Sequence, residues 1–266
     1  AVVFAPLVFS GHLLVAGDVG DSLLAFVALC LISSGIYLAN DVQDYEEDRL
    51  HPTKRLRPIA SGRVSPRSAN VASLILLSLG LLLAYVLGHL VFLAALSFVV
   101  VNAWYTFYGK RIAILDVMLI GASFVARVLV GAAAIGVPAS AWLLLTLFSL
   151  ATYLGFSKRA SELRLGAGAR ASLSDYTPAF LDHARSAGLA VTLALYTLYT
   201  FDSPYGSMMA LTVPFVFFGL LRYQAIVDRD DGANDGPSDH IYKDRQLQLA
   251  VIAWGLVVVA VILLTP

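Results

Sequence analysis

Apolar residues in this chain come in long unbroken runs separated by short polar segments. Half-buried helices space them at three and four residues, and surface strands alternate them. Nine runs are long enough to cross a bilayer as helices, which takes about 20 mostly apolar residues each. They lie at 1–17, 22–45, 68–87, 91–108, 114–135, 140–157, 180–200, 205–226 and 246–264. The pattern predicts an all-α polytopic membrane protein, a single transmembrane domain over 1–266. The polar connections on one side are expected near 46–67, 109–113, 158–179 and 227–245. A transmembrane barrel needs short alternating segments, which are absent. The first run, "AVVFAPLVFSGHLLVAG", lacks the positive start of a signal peptide. It is read as most of a first helix whose polar beginning precedes residue 1, with a processed mature terminus as the alternative.

Composition agrees. The chain is 59% hydrophobic and 14% charged, against roughly 25% charged in soluble domains. Its net charge is zero, so no global basic surface invites nucleic acid. Cys30 is the only cysteine, which excludes an internal disulfide and a cysteine-rich metal site. The basic residues give the orientation. Of 18 Lys and Arg, Arg49, Lys54, Arg55, Arg57, Arg63 and Arg67 lie between spans two and three. Lys110 and Arg111 follow span four, and Lys158, Arg159, Arg164, Arg170 and Arg185 surround the six-to-seven connection. Arg222, Arg229, Lys243 and Arg245 surround the connection from eight to nine. "DVGDS", "GHL", "GVPAS" and "DSPYGS", on the other side, have none. The positive-inside rule makes the charged face cytoplasmic and puts the C-terminus outside. Arg127 alone falls within a span, where an arginine faces a polar cavity or a packing partner. Both a phosphate-binding and a packing role fit it.

The densest chemistry is "NDVQDYEEDRLHPTKRLRPIASG", residues 40–62. Asp41, Asp44 and Asp48, at i, i+3 and i+7, fall within about 60° of arc on one helix face. Acids at a helix C-terminus oppose its dipole, so the cluster calls for a cation. A hard ion such as Mg²⁺ takes oxygen ligands and keeps positions open for phosphates. Asn40 can add its amide, whereas Glu46 and Glu47 point away. Lys54, Arg55 and Arg57 follow at once, with Pro52 and Pro58 barring a continuous helix. Arginine forks and lysine point charges suit phosphate oxygens. The mixture reads as a metal–diphosphate site. His51 sits in the turn, where a cap and a catalytic role are equally open. Residues 228–240 ("DRDDGANDGPSDH") lack the spacing and final glutamate of a calcium loop and are read as a solvated loop. Asp116, Asp244 and Arg245, at span ends, are read as network or cap residues.

"NDVQDYEEDR…RPIASGRVS" resembles the first aspartate-rich motif of the UbiA superfamily of intramembrane prenyltransferases, and the nine-span layout matches that bundle. "DRLHPTKRLRPIASG", "YGKRIAILDV", "GFSKRASEL" and "DRQLQLAVIAW" resemble one branch, the decaprenyl-phosphate phosphoribosyltransferases. The resemblance implies a UbiA-like bundle with its active site on the cytoplasmic side of the plasma membrane. It also implies Mg²⁺ as cofactor. The reaction would transfer 5-phosphoribose from phosphoribosyl diphosphate (PRPP) to decaprenyl or another polyprenyl phosphate, for cell-wall arabinan. Asp41, Asp44 and Asp48 would hold metal, and with Lys54 and Arg57 form the catalytic set. Asn40, Arg55, Tyr105, Lys110, Arg127, Lys158, Arg159, Glu162 and Asp175 are the further substrate-binding candidates.

Two departures matter. UbiA prenyltransferases carry a second aspartate-rich motif near the end of span six, where this chain has Lys158 and Arg159 and only Glu162 as an acid. The tyrosine–lysine motif appears as Tyr105 and Lys110 in "YTFYGK", one residue longer than usual. A homo-oligomer, taken as a trimer, is carried as a further expectation. A prenyltransferase using a prenyl diphosphate and an aromatic acceptor is the near rival, which the missing second motif opposes. A lipid-phosphate transporter is the distant one, and no inverted repeat supports it.

Overall fold

The computed structural model describes residues 2–50, 54–164, 171–229, 240 and 242–265. His51 and residues 230–239 of the acidic loop therefore lie outside the described residues. Ten α-helices hold most of the described residues, and no strand occurs among them. In chain order they are α1 (Ala5–Phe9), α2 (Ala16–Gln43), α3 (Tyr45–Leu50), α4 (Pro66–Leu87) and α5 (His89–Phe107), then α6 (Leu115–Ala134), α7 (Ala141–Arg164), α8 (Pro178–Asp202), α9 (Val213–Arg229) and α10 (Arg245–Leu264). Short 3-10 turns lead into α1 at Val2–Phe4 and into α9 at Gly206–Thr212.

Seven helical stretches among the described residues are long and apolar enough to cross a membrane, by length and composition. They are α2, α4, α5, α6, α7, α10 and the stretch Gly206–Arg229. The first expected span is corrected. It is broken at residues 10–15, and "DVGDS", expected as a connection, lies inside α2. Asp18 sits in the first turn of α2, where a carboxylate complements the helix dipole. Its carboxylate meets His12 at 2.5 Å, and Gly11 turns the chain with φ +82°. The sixth span is corrected at its other end. α7 continues past 157 to Arg164, so Lys158, Arg159 and Glu162 stand on a helix and not in a connection.

Local signals explain the sharp ends. Ser65 caps α4 by accepting a bond from the Ser68 amide, with Pro66 at the first helical position. Thr177 and Pro178 repeat the device at α8. Asp244 caps α10 through the Leu247 amide at 2.8 Å. Gly88, at φ 147°, ends α4 and starts α5 without an intervening loop, a conformation that favours glycine.

The chain forms two compact units. One comprises Ala1–Val8, His12–Tyr108 and Ala126–Pro138, the other Phe9–Gly11, Gly109–Val125 and Ala139–Pro266. In the first, α2 and α4 pack closely. Gly35 and Gly80 sit where the two backbones approach, and Ser73 Oγ donates to the Gly35 carbonyl at 2.7 Å. Small residues and interhelical hydrogen bonds are how helices associate where lipid removes the hydrophobic drive. Ala25, Ala28, Ile32, Ala84, Ala95 and Phe98 fill the core around them. In the second, Gly188 of α8 meets Tyr153 of α7, and Thr192 Oγ1 donates to Ser149 Oγ at 2.9 Å. Tyr153, Leu189, Tyr223, Val227 and Leu247 form its largest buried cluster.

A Cβ on Gly80 would meet Ile32 Cγ1 at 2.6 Å and the Ala28 carbonyl oxygen at 2.9 Å. Overpacking of this kind costs about 1–3 kcal/mol. Gly80→Ala is therefore expected to lower the thermal midpoint in detergent micelles by several degrees. Gly255→Ala, whose Cβ meets nothing within 4 Å, is expected not to lower it.

Candidate functional site

Each unit carries a dense cluster of ionised groups that includes a buried aspartate. In the first unit it forms where α2 ends. α2 stops at Gln43 and α3 begins at Tyr45, with Asp44 between them at φ −90°, ψ 7°. Two four-residue bonds flank the interruption: the Asp44 amide reaches the Asn40 carbonyl at 2.9 Å and the Asp48 amide reaches that of Asp44 at 2.8 Å. The one-faced spacing of Asp41, Asp44 and Asp48 is thereby kept although the helix is not regular. Glu46 and Glu47 are exposed on the outside.

The chain then returns through a 3-10 turn at Lys54–Leu56. A further turn is pinned by Arg63 Nη2 on the Leu56 carbonyl (2.9 Å), by the buried Ile59 and by Gly62 at φ +79°. This return delivers Arg57 into the acidic face. Its Nη1 donates to Asp41 Oδ1 at 2.9 Å and to Asp48 Oδ2 at 2.8 Å. Lys54 Nζ stands 3.8 Å from Asp48 Oδ1. Asn40 Nδ2 donates to Asp44 Oδ2 at 3.2 Å. Asp48 is the buried member, its side chain 4% exposed against 39% for Arg57.

Three carboxylates and two cations leave a formal charge of minus one. An isolated carboxylate at 4% exposure is unfavourable by several kcal/mol, and the Arg57 bond at 2.8 Å offsets that penalty at Asp48. Among the described residues no group of three carboxylates or imidazoles stands ready to hold a metal ion, and the Arg57 guanidinium lies between Asp41 and Asp48. The donor chemistry nevertheless fits a hard divalent ion. It is all oxygen, carries excess negative charge, and already takes a cation between two of its carboxylates.

The second unit's cluster centres on Asp116, which is fully buried. Its Oδ2 accepts from Arg159 Nε at 2.7 Å and Ser172 Oγ at 3.2 Å. Its Oδ1 accepts from Tyr176 Oη at 2.7 Å and from the Val117 amide at 2.9 Å. Arg159, 2% exposed, also donates from Nη1 to Glu162 Oε2 at 2.8 Å. Burial, and the hydrogen bond it gives to Asp116, push the Tyr176 hydroxyl well above the ordinary phenol range, so it remains a donor. Asp116 is thus the network residue expected of it. Tyr176 and Ser172 were not expected; the sequence signal for Tyr176 is its place beside a helix cap in "SDYTP", and Ser172 has none.

The remaining candidates are dispersed. Arg127 places its guanidinium over the Phe98 ring, 4.8 Å from the centroid, a cation–π contact of the packing kind. Tyr105 is half-buried on α5, and Arg55 is exposed on the 3-10 turn. Lys110 is half-buried in a turn at Gly109–Arg111, and Lys158 is half-buried on α7. Asp175 is exposed, with Ser174 as neighbour. Two cavities in the second unit are lined by none of these. One of about 240 Å³, among α7, α9 and α10, is apolar and includes Leu154, Leu220, Leu247 and Trp254. The other, about 460 Å³, is lined by the paired Arg185, Asp182 and Asp228.

Comparison with known proteins agrees with this picture. The description "UbiA prenyltransferase family" matches residues 3–242. A decaprenyl-phosphate phosphoribosyltransferase of Corynebacterium glutamicum is 33% identical over 258 residues, covering 92% of this chain and 77% of that protein. One from Mycolicibacterium smegmatis is 34% identical over 247 residues, covering 87% and 77%. In three dimensions, a UbiA homolog from Archaeoglobus fulgidus bound to DMAPP and Mg²⁺ superimposes with a TM-score of 0.72 at 19% identity, over 99% of this chain and 96% of that one.

The two arginines differ in how firmly the fold depends on them. Arg159→Met strands two buried carboxylates and is expected to cost about 3–5 kcal/mol. Arg57→Met, at a half-exposed site where Lys54 remains, is expected to cost about 1–2 kcal/mol. Reversible denaturation in mixed micelles measures both.

Proposed function

The chain belongs to the UbiA prenyltransferase family, and from that premise we propose that it transfers 5-phosphoribose from PRPP to decaprenyl or another polyprenyl phosphate. The observation that carries the reading is the identity of 33% and 34% to two decaprenyl-phosphate phosphoribosyltransferases over most of both chains. Lys158, which stands at the end of α7 where that family's pattern has an acid, supports it, since two phosphorylated substrates need more positive charge than one.

In this reaction a phosphate oxygen of the lipid forms a bond to ribose C1 as the bond from C1 to diphosphate breaks. The electron pair leaves on the diphosphate, and one displacement inverts C1. The nucleophile is already anionic at neutral pH, so no general base is required. What the protein must supply is charge stabilisation of the leaving group. Asp41, Asp44 and Asp48, with the Asn40 amide oxygen, are the residues that would hold a divalent ion, Mg²⁺ in this reading. Such an ion neutralises developing diphosphate charge when bound. Arg57, shared between two carboxylates and half-exposed, can exchange one of them for a phosphate oxygen. Lys54 and Arg55 stand on the same turn for the 5-phosphate or diphosphate. Lys110 and Lys158 are assigned to the lipid phosphate or the donor, and Tyr105, Glu162 and Asp175 to the ribose hydroxyls. Arg159 works through Asp116 and Glu162. Arg127 packs on Phe98.

The same reading places nine spans in the plasma membrane, with the basic connections and the site at the cytoplasmic face and the C-terminus outside. The polyprenyl tail lies in apolar grooves between helices, of which the cavity among α7, α9 and α10 is one. The product would serve cell-wall arabinan synthesis, and a trimer is the oligomer we assign. The prenyltransferase alternative is favoured by one observation, the DMAPP bound to the Archaeoglobus fulgidus homolog.

Purified protein given Mg²⁺, labelled PRPP and polyprenyl phosphate is expected to form lipid-linked phosphoribose, and chelator is expected to abolish it. Asp41→Asn is expected to lower kcat/KM by about 100-fold or more, the scale of losing one major electrostatic contribution. Turnover of a labelled prenyl diphosphate with an aromatic acceptor, and none of PRPP, would establish the alternative.

A further inference from the structure

The connection from α5 to α6 contains the one non-glycine residue with positive φ among the described residues, Ile114 at φ 69°. For a β-branched side chain this left-handed conformation is an outlier, and it opposes the turn by a factor of about 5 to 30 in population. Burial of the side chain does not hold it there, because Ile114 is 44% exposed.

The restraint is a hydrogen bond. The Ile114 amide donates to Tyr176 Oη at 2.6 Å, and that hydroxyl donates to Asp116 Oδ1 at 2.7 Å. Both directions are fixed, since an amide N–H can only donate and a carboxylate only accept. Tyr176 is itself immobile, 5% exposed, with its ring stacked on Phe180 at 5.8 Å and edge-on to Phe156 at 6.3 Å. The turn it holds starts at Gly109 and carries Lys110. It is closed by the Ile112 amide on the Gly109 carbonyl (3.1 Å), the Leu115 amide on that of Ala113 (2.8 Å) and the Asp116 amide on that of Ile112 (3.0 Å).

We propose that Tyr176 is a positioning residue, whose hydroxyl holds Ile114 in the left-handed conformation and thereby fixes the Gly109–Ile114 turn that presents Lys110 to a substrate phosphate. The proposal rests on the reading of Lys110 given above. Strain is stored where geometry must be set in advance, and here it sits four residues from a candidate phosphate ligand.

The test is suppression. Tyr176→Phe keeps the ring packing and removes the hydroxyl. It is expected to raise the KM for one phosphorylated substrate about 5- to 30-fold with kcat within about twofold. The Ile112, Leu115 and Asp116 amides are expected to exchange faster with deuterium in micelles. Ile114→Gly removes the left-handed penalty at an exposed position and is expected to leave the wild-type activity unchanged. In the Tyr176→Phe chain it is expected to recover most of the lost KM and of the lost amide protection. A Tyr176→Phe loss that Ile114→Gly does not relieve would overturn the proposal, as would unchanged exchange in Tyr176→Phe. If wild-type protein transfers no phosphoribose, the assigned reaction falls, while the exchange data still decide whether Tyr176 restrains the turn.

Discussion

A buried carboxylate is tolerated only with opposite charge within hydrogen-bond reach, and that requirement organises the clusters around Asp48 and Asp116. Asp48 and Asp116 are both buried carboxylates, and each is answered by an arginine at under 3 Å. The chain between α3 and α4 can be understood from this need. Its 3-10 turn, the buried Ile59 and the glycine at 62 form a path that returns Arg57 to the face it must neutralise. The extension of α7 to Arg164 follows likewise. Arg159 and Glu162 pair along the helix and meet Asp116 across it, so this stretch gains from being helical.

The two arginines illustrate how similar residues take different work. Arg159 is 2% exposed and donates to the buried carboxylates of Asp116 and Glu162. Moving it toward a ligand would strand charge in the interior. Arg57 is 39% exposed and shared between two acids, so exchanging a partner costs far less. A substitution of bases for acids on α7 therefore does not of itself add cations for a substrate. Lys158, one position earlier, is half-buried.

Much of this was legible in the sequence. The apolar runs predict α4, α5 and α8 within about two residues at each end, because Ser65-Pro66, Gly88 and Thr177-Pro178 mark ends with local chemistry. The aspartate spacing gives the acidic face even though the helix breaks at Asp44, since the Asp44 and Asp48 amides still bond four residues back. The turn at 10–15 was illegible for a physical reason. Leu13, Leu14 and Val15 are as apolar as a span, and Leu14 is 83% exposed, so hydropathy alone cannot separate a bend from a helix there. The Asp116–Arg159 and Asp116–Tyr176 pairs join positions 43 and 60 residues apart. No local pattern announces such partnerships.

The length of α2 has a mechanical corollary. Its 28 residues extend about 42 Å at 1.5 Å per residue, whereas bilayer hydrocarbon is about 30 Å thick. Asp21 near one end and Asp41 near the other are separated by about 30 Å of helix axis, almost the same figure. Leaning this rod far from the membrane normal would draw an aspartate into oil. Carboxylates at this spacing therefore oppose a large tilt of α2 in a bilayer of that thickness.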